Sequence, residues 1–482
     1  MPMNAFVMPN LNPALPEIFL FLMACVVLLV DVYSRDSGRL LTYLLTQGTL
    51  VGTLLLTVTL HTGEVEYTFG HMFVRDAMAD VLKSFVLIVA MVVFLYSRAY
   101  LAARDLLRGE YFVLGLFGVL GMMVMISAHS MLTLYLGLEI LALSQYSLVA
   151  LDRDSGVRSE AAMKFFVLGA LASGILLYGM SLFYGVTGSL QIGEISSAVS
   201  LVDKQGIVSK LALVFIVVGL AFKLGAAPFH MWVPDVYHGA PTAVTLYLST
   251  LPKIAAFGIV MRLLVDGLSP LHLDWQGMLI LLSMLSIAIG NIVAIAQTNI
   301  KRMLAYSTIS HMGFLLLGIL SATAEGYSSA MFYTLTYAIM GLGAFGMVIL
   351  LSRAGFESDN IDDFRGLNER SPWLAFLMLI LMVSMAGVPP AVGFFAKLSV
   401  LQAVVRADFV WLAVFAVIFS VIGAFYYLRI VKLMYFDKPV DSHPIVATYD
   451  VRVAMGVNGM AVLALGIFPG TLMSLCARAL GP

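Results

Sequence analysis

The amino-acid sequence predicts an all-α polytopic membrane protein of about 14 transmembrane helices, two of them broken within the membrane. The first observation is the composition: of 482 residues, 61% are hydrophobic and 11% are charged, and the mean hydropathy is +0.98. A soluble domain carries about 25% charged residues, so most of this chain must face lipid or other apolar helices. The second observation is that lysines and Gly/Pro-rich breaks interrupt some of the apolar runs.

Charge and cysteine content exclude several classes of protein. The net charge of -1 offers no global field for nucleic acid. Cys25 and Cys476 stand near opposite ends of the chain and have no metal-type spacing, so neither a disulfide framework nor a metal centre is expected. The first apolar run follows the acidic Glu17 and lacks a basic leader, which favours a permanent span over a cleaved signal peptide.

Spans of roughly 20 mainly apolar residues follow one another along the whole chain. They begin near Pro16, Leu40, Met78, Tyr111, Met131, Ala161, Val208, Pro241, Met278, Arg302, Tyr327, Pro372, Asp408 and Val451. The longest polar segments, which we predict to be loops, are 61–76, 98–110, 187–207, 353–371 and 437–450. Only 63–69, "GEVEYTF", has the alternation of a strand, which predicts one arm of a small hairpin.

The distribution of lysine and arginine predicts the orientation. If the N-terminus lies outside, the inner loops hold 16 of the 27 basic residues and the outer loops hold six. Inner loops are the ones enriched in basic residues. We therefore expect both termini on the outer side, which agrees with an even number of spans.

Five lysines fall inside the predicted spans: Lys83, Lys164, Lys223, Lys253 and Lys397. A charge at the bilayer centre costs about 2.5–3.5 kcal/mol on insertion scales, so each is a candidate functional residue. Lys83 and Lys164 lie near span ends, where a lysine can also extend to the headgroups. Lys83 has a structural partner within reach in Asp80, three residues earlier.

Two of the segments that carry these lysines are interrupted. The stretches "FKLGAAPFH" and "AGVPPAVGFFAK" place Lys223 just before one break and Lys397 just after another. The segments 208–240 and 372–404 exceed the roughly 20 residues of a straight crossing, which predicts two half-helices in each. Paired broken helices are the best sequence indicator of a transport site. Lys253, beside Pro252, lies near mid-depth of its own span; proline kinks with inert buried lysines are the structural alternative.

Other polar groups accompany the lysines. Glu139 is the only carboxylate in its span, and Lys164 on the next helix is its expected ion-pair partner, in a functional or a purely structural pair. His311 lies about ten residues into its span, where it is either a proton carrier or a hydrogen-bonded core residue. His230 and His238 flank the first break and could line an exit path.

These groups together predict a proton relay. Lysines in a protein interior can exchange protons near neutral pH, and neighbouring titratable groups are coupled. A charge change near Glu139 would alter the proton affinity of Lys223 and then, through Lys253, that of Lys397. The sequence contains neither a nucleotide-binding loop nor a metal-ligand cluster, so the energy must come from a partner or from another ion gradient.

Five segments carry a resemblance to a known family. They are "YLGLEILALSQYSLVAL", "EAAMKFFVLGALASGILLYG", "AFKLGAAPFHMWVPDVYHGAP", "NIKRMLAYSTISHMG" and "AGVPPAVGFFAKL". Together they resemble the antiporter-like subunits of the proton-pumping NADH:quinone oxidoreductase, respiratory complex I, in family order from about 110 to 435. The length, and Lys397 in place of the glutamate of the M type, make the chain most similar to the N type, which is equivalent to mitochondrial subunit 2.

The resemblance implies an architecture and a site. It implies N-terminal helices in 1–110, two inverted five-helix repeats in 111–265 and 266–436, and a last helix in 437–482. The implied proton path runs through Glu139, Lys164, Lys223, Lys253, His311 and Lys397. The resemblance gives Lys83 no role.

The resemblance also implies a setting. The chain would be a non-redox subunit of the H⁺-translocating NADH:quinone reductase, a translocase in the bacterial inner membrane with periplasmic termini. This chain itself would hold no cofactor, whereas partner subunits would hold NAD, FMN, iron–sulfur clusters and quinone. Its expected partners are the M-type and K-type subunits and lipids, but no nucleic acid.

Three alternatives stay open at this point. A subunit of a Mrp-type Na⁺/H⁺ antiporter or of a membrane-bound hydrogenase would share most of these motifs, although Lys397 counts against the Mrp reading. An inert scaffold would not need the lysines. A solute transporter would need a cluster of polar residues beyond those already named.

Overall fold

The described part of the chain is predominantly α-helical, as the sequence predicts. The structure, a computed structural model, describes residues 8–34, 39–201, 206–439, 443, 445 and 447–481. Within these ranges the α-helices are α1 Leu15–Tyr33, α2 Leu40–Thr59, α3 Ala77–Ala102, α4 Gly109–Ile126, α5 Met131–Val149, α6 Gly156–Thr187, α7 Ile192–Leu201, α8 Ile207–Leu224, α9 Trp232–Gly239, α10 Thr242–Val260, α11 His272–Ile295, α12 Ile300–Leu320, α13 Ala324–Leu351, α14 Leu367–Arg370, α15 Pro372–Ala386, α16 Val392–Arg406, α17 Val410–Phe436, α18 Tyr449–Ile467 and α19 Pro469–Ala479.

Thirteen helices in the described part of the chain are long and apolar enough to cross a membrane. The segment Pro372–Arg406 is split between α15 and α16, so neither half reaches spanning length alone. Counted as one interrupted crossing, it brings the total to the 14 spans predicted. The membrane-protein class is confirmed.

The core lies around α10, α12 and α13, which are buried along almost their whole length. Helices that are apolar on all sides are stable only inside a protein or against lipid. α1, α2, α6 and α17 carry many exposed leucines, valines and phenylalanines, which suit the lipid-facing position. The lysine of α10 is therefore placed at the centre of the molecule.

Both predicted breaks are present, and both use the same helix ending. α8 ends at Leu224 and α15 ends at Ala386, and each is followed by a glycine in the left-handed region, Gly225 with φ +77° and Gly387 with φ +86°. At each end the next residue's N–H reaches back five residues, from Ala226 to Ala221 O at 2.8 Å and from Val388 to Val383 O at 3.1 Å. This glycine-dependent ending leaves free carbonyls at the terminus of the half-helix.

Three elements outside the predicted spans refine the prediction. The expected strand pairs as an antiparallel hairpin of β1 Glu66–Thr68 and β2 Phe73–Arg75, which confirms it. The segment 187–207 is not only loop, because it contains α7, whose buried Ile192, Ile195 and Val199 share one face. In the C-terminal segment, α19 follows the last predicted span, since Pro469 starts a new helix.

A charged cluster joins α3, α10 and the loop after α13. Arg104 donates to Glu357 Oε2 at 2.6 Å, and Tyr100 donates to Glu357 Oε1 at 2.7 Å. Thr242, the first residue of α10, also donates to Glu357 Oε1. Burial would raise the pKa of the Glu357 carboxyl, but the nearby Lys301, the two hydroxyls and Arg104 outweigh it and lower the pKa below its usual value.

We expect Glu357→Gln to lower the stability of this cluster by about 1–3 kcal/mol, because a cation and two hydroxyls lose their charged acceptor. A carboxylate with a lowered pKa stabilises the folded state above its unfolded pKa of about 4.3, and that contribution is lost as the pH falls through the folded pKa. Thermal unfolding of the assembled complex should show the full deficit at pH 7 and a smaller one below about pH 4. The matched control is Glu325→Gln in the exposed pair with Arg406, worth about 0–1 kcal/mol; an equal effect of the two substitutions contradicts the assignment.

Candidate functional site

Lys253 lies in the core and caps the first broken helix. Its side chain is 1% exposed, and its Nζ donates to Leu224 O, the last carbonyl of α8, at 2.8 Å. The Nζ also lies 5.3 Å from the centroid of the Trp232 ring. Because the C-terminal end of a helix carries partial negative charge, it stabilises an ammonium group there. The break thus supplies the acceptor that makes a buried lysine tolerable.

Proline opens α10 next to this lysine. Pro252 has no N–H, so Leu248 O loses its partner within the helix. The Tyr237 hydroxyl of α9 donates to that carbonyl at 3.3 Å. The polar group that proline frees is therefore satisfied by the second half of the broken segment.

Lys223 shares a cavity with Lys253. Its Nζ donates to the buried Ser173 hydroxyl of α6 at 3.1 Å. The two lysines line an internal cavity of about 40 Å³, together with Gln145, Tyr146 and other residues of α5, α6 and α10. A space of that size has room for water, and the two ammonium groups, Gln145 and Tyr146 supply polar partners among mostly apolar walls. The structure therefore brings two of the predicted residues onto one hydratable space.

Glu139 and Lys164 do not form the predicted pair. Lys164 is half-exposed and contacts Glu160 at 2.9 Å and Asp235 at 3.0 Å. The pairing differs because Glu160 lies one turn earlier on the same helix and Asp235 is brought close by α9. Among the described residues, Glu139 Oε1 is buried without a hydrogen-bond partner. Glu139 is instead near enough to Lys223 to act on it electrostatically.

Lys397 repeats the arrangement of Lys253 at the second break. Its Nζ donates to Ala386 O, the last carbonyl of α15, at 2.9 Å. A second bond of 2.9 Å goes to the Ser420 hydroxyl of α17. The ring of Phe314 lies 5.1 Å from the ammonium. Each break therefore presents one ammonium to a half-helix end, beside an aromatic ring.

His311 occupies a buried hydroxyl network that sequence reasoning missed. Its Nδ1 lies 2.6 Å from the Tyr333 hydroxyl, and its Nε2 lies 3.1 Å from the Tyr427 hydroxyl. Ser307 Oγ lies 2.5 Å from the same Tyr427 hydroxyl. These tyrosines come from α13 and α17, so only their position inside predicted spans hinted at a role.

Two other predicted residues, Lys83 and His230, have different surroundings. Lys83 is buried, and its Nζ lies 2.5 Å from Glu17 Oε1. The prediction that Asp80 is its partner was wrong. Asp80 is already held by Arg75 and His61. His230, beside the first break, has a buried Nδ1 without a partner among the described residues.

The fold and the site define a polytopic helical membrane protein whose two interrupted helices end at buried lysines, an arrangement typical of ion-translocating membrane proteins. The family model described as "NADH:quinone oxidoreductase/Mrp antiporter, TM" matches residues 128–423. The chain belongs to this family, and within it to the N type of NADH-quinone oxidoreductase subunits.

Relatives and solved structures support this assignment over the whole chain. "NADH-quinone oxidoreductase subunit N" of Thioalkalivibrio sulfidiphilus is 62% identical, covering 98% of this chain and 99% of that protein. The protein of the same name from Nitrosomonas europaea is 57% identical, covering 98% and 99%. A chain of respiratory complex I from Thermus thermophilus with bound aureothin is 31% identical with a TM-score of 0.81, covering 97% of this chain and all of that one.

A chain of the Mrp complex from Dietzia sp. has the same fold. Its TM-score is 0.83 at 21% identity, and the match covers 98% of this chain and 97% of that chain.

Proposed function

We propose that this chain is the proton-translocating membrane-arm subunit N of an NADH:quinone oxidoreductase and contributes no redox chemistry itself. Protons move through a relay of titratable side chains near mid-membrane. Its members are Glu139, Lys164, Lys223, Lys253, His311 and Lys397.

One observation carries this proposal. Lys253 and Lys397 each donate to the last carbonyl of an interrupted half-helix, at Leu224 and at Ala386. Each ammonium is stabilised by the partial charge of a helix end, and no carboxylate of the described ranges forms an ion pair with it. An ion pair would hold the proton firmly, whereas a neutral carbonyl acceptor leaves it exchangeable.

The first step of the relay follows from Lys223. Glu139 acts on this lysine electrostatically, and the cavity joins Lys223 to Lys253. A charge change at the Lys164–Asp235 contact would reach the same cavity through α6 and α9. Because the groups are coupled, proton binding at one alters proton affinity at the next.

The driving force comes from outside this chain. Quinone reduction in partner subunits that hold NAD, FMN, iron–sulfur clusters and quinone supplies it. The neighbouring chains are the M-type and K-type subunits in the bacterial inner membrane, and both termini face the periplasm. The repeats occupy 111–265 and 266–436.

Lys223→Ala tests the proposal in the assembled complex. We expect proton translocation in proteoliposomes to fall by about tenfold or more, because a proton carrier is removed, while assembly is retained. Lys210→Ala on the same helix is the control. Lys210 is half-exposed, and its contact with Asp274 is long, at 3.8 Å. Unchanged pumping by Lys223→Ala would support the inert scaffold instead.

The composition of the purified complex distinguishes the proposed function from the antiporter alternative. Purification with native lipids should recover flavin and iron–sulfur subunits. Recovery of small antiporter subunits in their place would favour a Mrp-type assembly and overturn the proposal.

A further inference from the structure

His311 is held between two tyrosine hydroxyls, one at each ring nitrogen. We propose that Tyr427 and Tyr333 are relay residues on either side of His311, so that a continuous chain Ser307–Tyr427–His311–Tyr333 carries protons toward Lys397. This inference rests on the proposed function and extends it from titratable groups to hydroxyls.

The chain is continuous in the structure. Ser307 Oγ to the Tyr427 hydroxyl is 2.5 Å, Tyr427 to His311 Nε2 is 3.1 Å, and His311 Nδ1 to Tyr333 is 2.6 Å. All four side chains are at most 3% exposed. Every link is within hydrogen-bonding distance, so the chain needs no intervening water.

The bonding of the imidazole gives the chain a direction. A neutral imidazole has one N–H and one acceptor nitrogen, so one tyrosine must donate to His311 while the other accepts. If Ser307 donates to Tyr427 and Tyr427 donates to Nε2, then Nδ1 donates to Tyr333. Reversing all three bonds gives the second state of the same chain.

Transfer of one proton converts the first state into the second. A proton arrives on the Ser307 hydroxyl while that oxygen gives its proton to Tyr427, Tyr427 gives its proton to Nε2, Nδ1 gives its proton to Tyr333, and Tyr333 releases its own proton. Transfer of a proton from the Tyr333 end to the Ser307 end restores the first state. One O–H or N–H bond forms for each one that breaks, and no net charge stays on the chain.

The Tyr333 end of this hydrogen-bonded chain lies near Lys397 and the second break. The Tyr333 ring stacks on Phe314 with centroids 6.1 Å apart, and the Lys397 ammonium lies over Phe314. Lys397 is also close enough to act on His311 electrostatically. The charge of Lys397 therefore favours one direction of the chain over the other.

Packing alone does not account for these hydroxyls. Tyr96 is equally buried, and among the described residues its hydroxyl has no partner, so the fold accepts a buried tyrosine that bonds to nothing. Tyr426, next to Tyr427, directs its hydroxyl to Asn291 at 3.1 Å and not to the histidine. The contacts of Tyr333 and Tyr427 with both imidazole nitrogens are thus specific.

Tyr333→Phe and Tyr427→Phe in the intact complex test the inference, with Tyr96→Phe as control, because the Tyr96 hydroxyl has no partner among the described residues. Both rings keep their packing, so assembly should be normal. We expect each to lower proton translocation by about tenfold, at the low end for loss of a proton-transfer group because water can partly substitute. The solvent deuterium isotope effect on translocation should change in both variants and stay at the wild-type value in Tyr96→Phe.

A second readout follows the histidine itself. Nitrogen NMR of ¹⁵N-histidine-labelled complex should show a changed tautomer balance for His311 in Tyr427→Phe, and no change in Tyr96→Phe. Wild-type translocation and isotope effects in both tyrosine variants overturn the inference. If the tyrosine variants translocate protons normally but Lys223→Ala in the same preparations does not, the proposed function stands and only the role of the tyrosines is wrong. If Lys223→Ala also translocates protons normally, both the proposed function and this inference are wrong.

Discussion

Replacing Lys253 with methionine should stop proton translocation by this subunit while leaving the complex assembled. Methionine fills a similar volume and loses only the ammonium, and the site is already apolar on most sides, with the Trp232 ring beside the ammonium. Among the described residues, the substitution leaves one acceptor without its donor, Leu224 O, which can be hydrated from the adjacent cavity. We expect acidification of proteoliposomes to fall by about tenfold or more when NADH is supplied.

Lys253→Arg separates the two roles that a lysine can have here. Arginine keeps the positive charge at the end of α8 but does not release its proton at accessible pH. If proton exchange is the function of Lys253, Lys253→Arg should lower proton translocation as much as Lys253→Met does. Full activity of the arginine variant would show that Lys253 is a fixed helix cap and would contradict the relay.

Gly387→Ala should disable the second break. The residue has φ +86°, where a side chain costs roughly 1–2 kcal/mol. The added Cβ would also lie 2.7 Å from Lys397 Cδ and 3.3 Å from its Cε. The lysine stem must move, which draws the ammonium away from Ala386 O and Ser420. We expect proton translocation to fall by about tenfold, from loss of a positioned proton carrier.

Gly355→Ala is the matched control for this substitution. Gly355 has φ +74°, and a Cβ there would meet nothing within 4 Å. The backbone cost is similar, but no functional side chain is displaced. Equal loss of pumping in the two variants would mean that backbone strain, and not the position of Lys397, is what matters.

The sequence was sufficient to predict the interrupted helices and their lysines. Glycine and proline clustered in "AGVPPAVGFFAK" can be read locally, because those residues end helices wherever the chain lies. The cost of a charge in hydrocarbon is equally local, so Lys223, Lys253 and Lys397 stood out without any tertiary information.

What could not be predicted depends on residues distant in sequence. Lys164 pairs with Asp235, and Lys83 with Glu17, because helix packing decides which carboxylate is nearest. No periodicity encodes those distances. The Tyr333 and Tyr427 hydroxyls were missed for the same reason, since tyrosines in a span are ordinarily packing residues and their partner is on another helix.

The most direct test of the central claim is a cryo-electron microscopy map of the intact complex that resolves ordered water. The relay needs water that reaches the buried lysines at the unwound turns. We expect ordered water in the cavity between Lys223 and Lys253, and a hydrogen-bonded path of water and side chains joining it to His311 and Lys397. A map that resolves water elsewhere in the membrane arm but shows a dry, apolar gap between the two breaks would contradict the account.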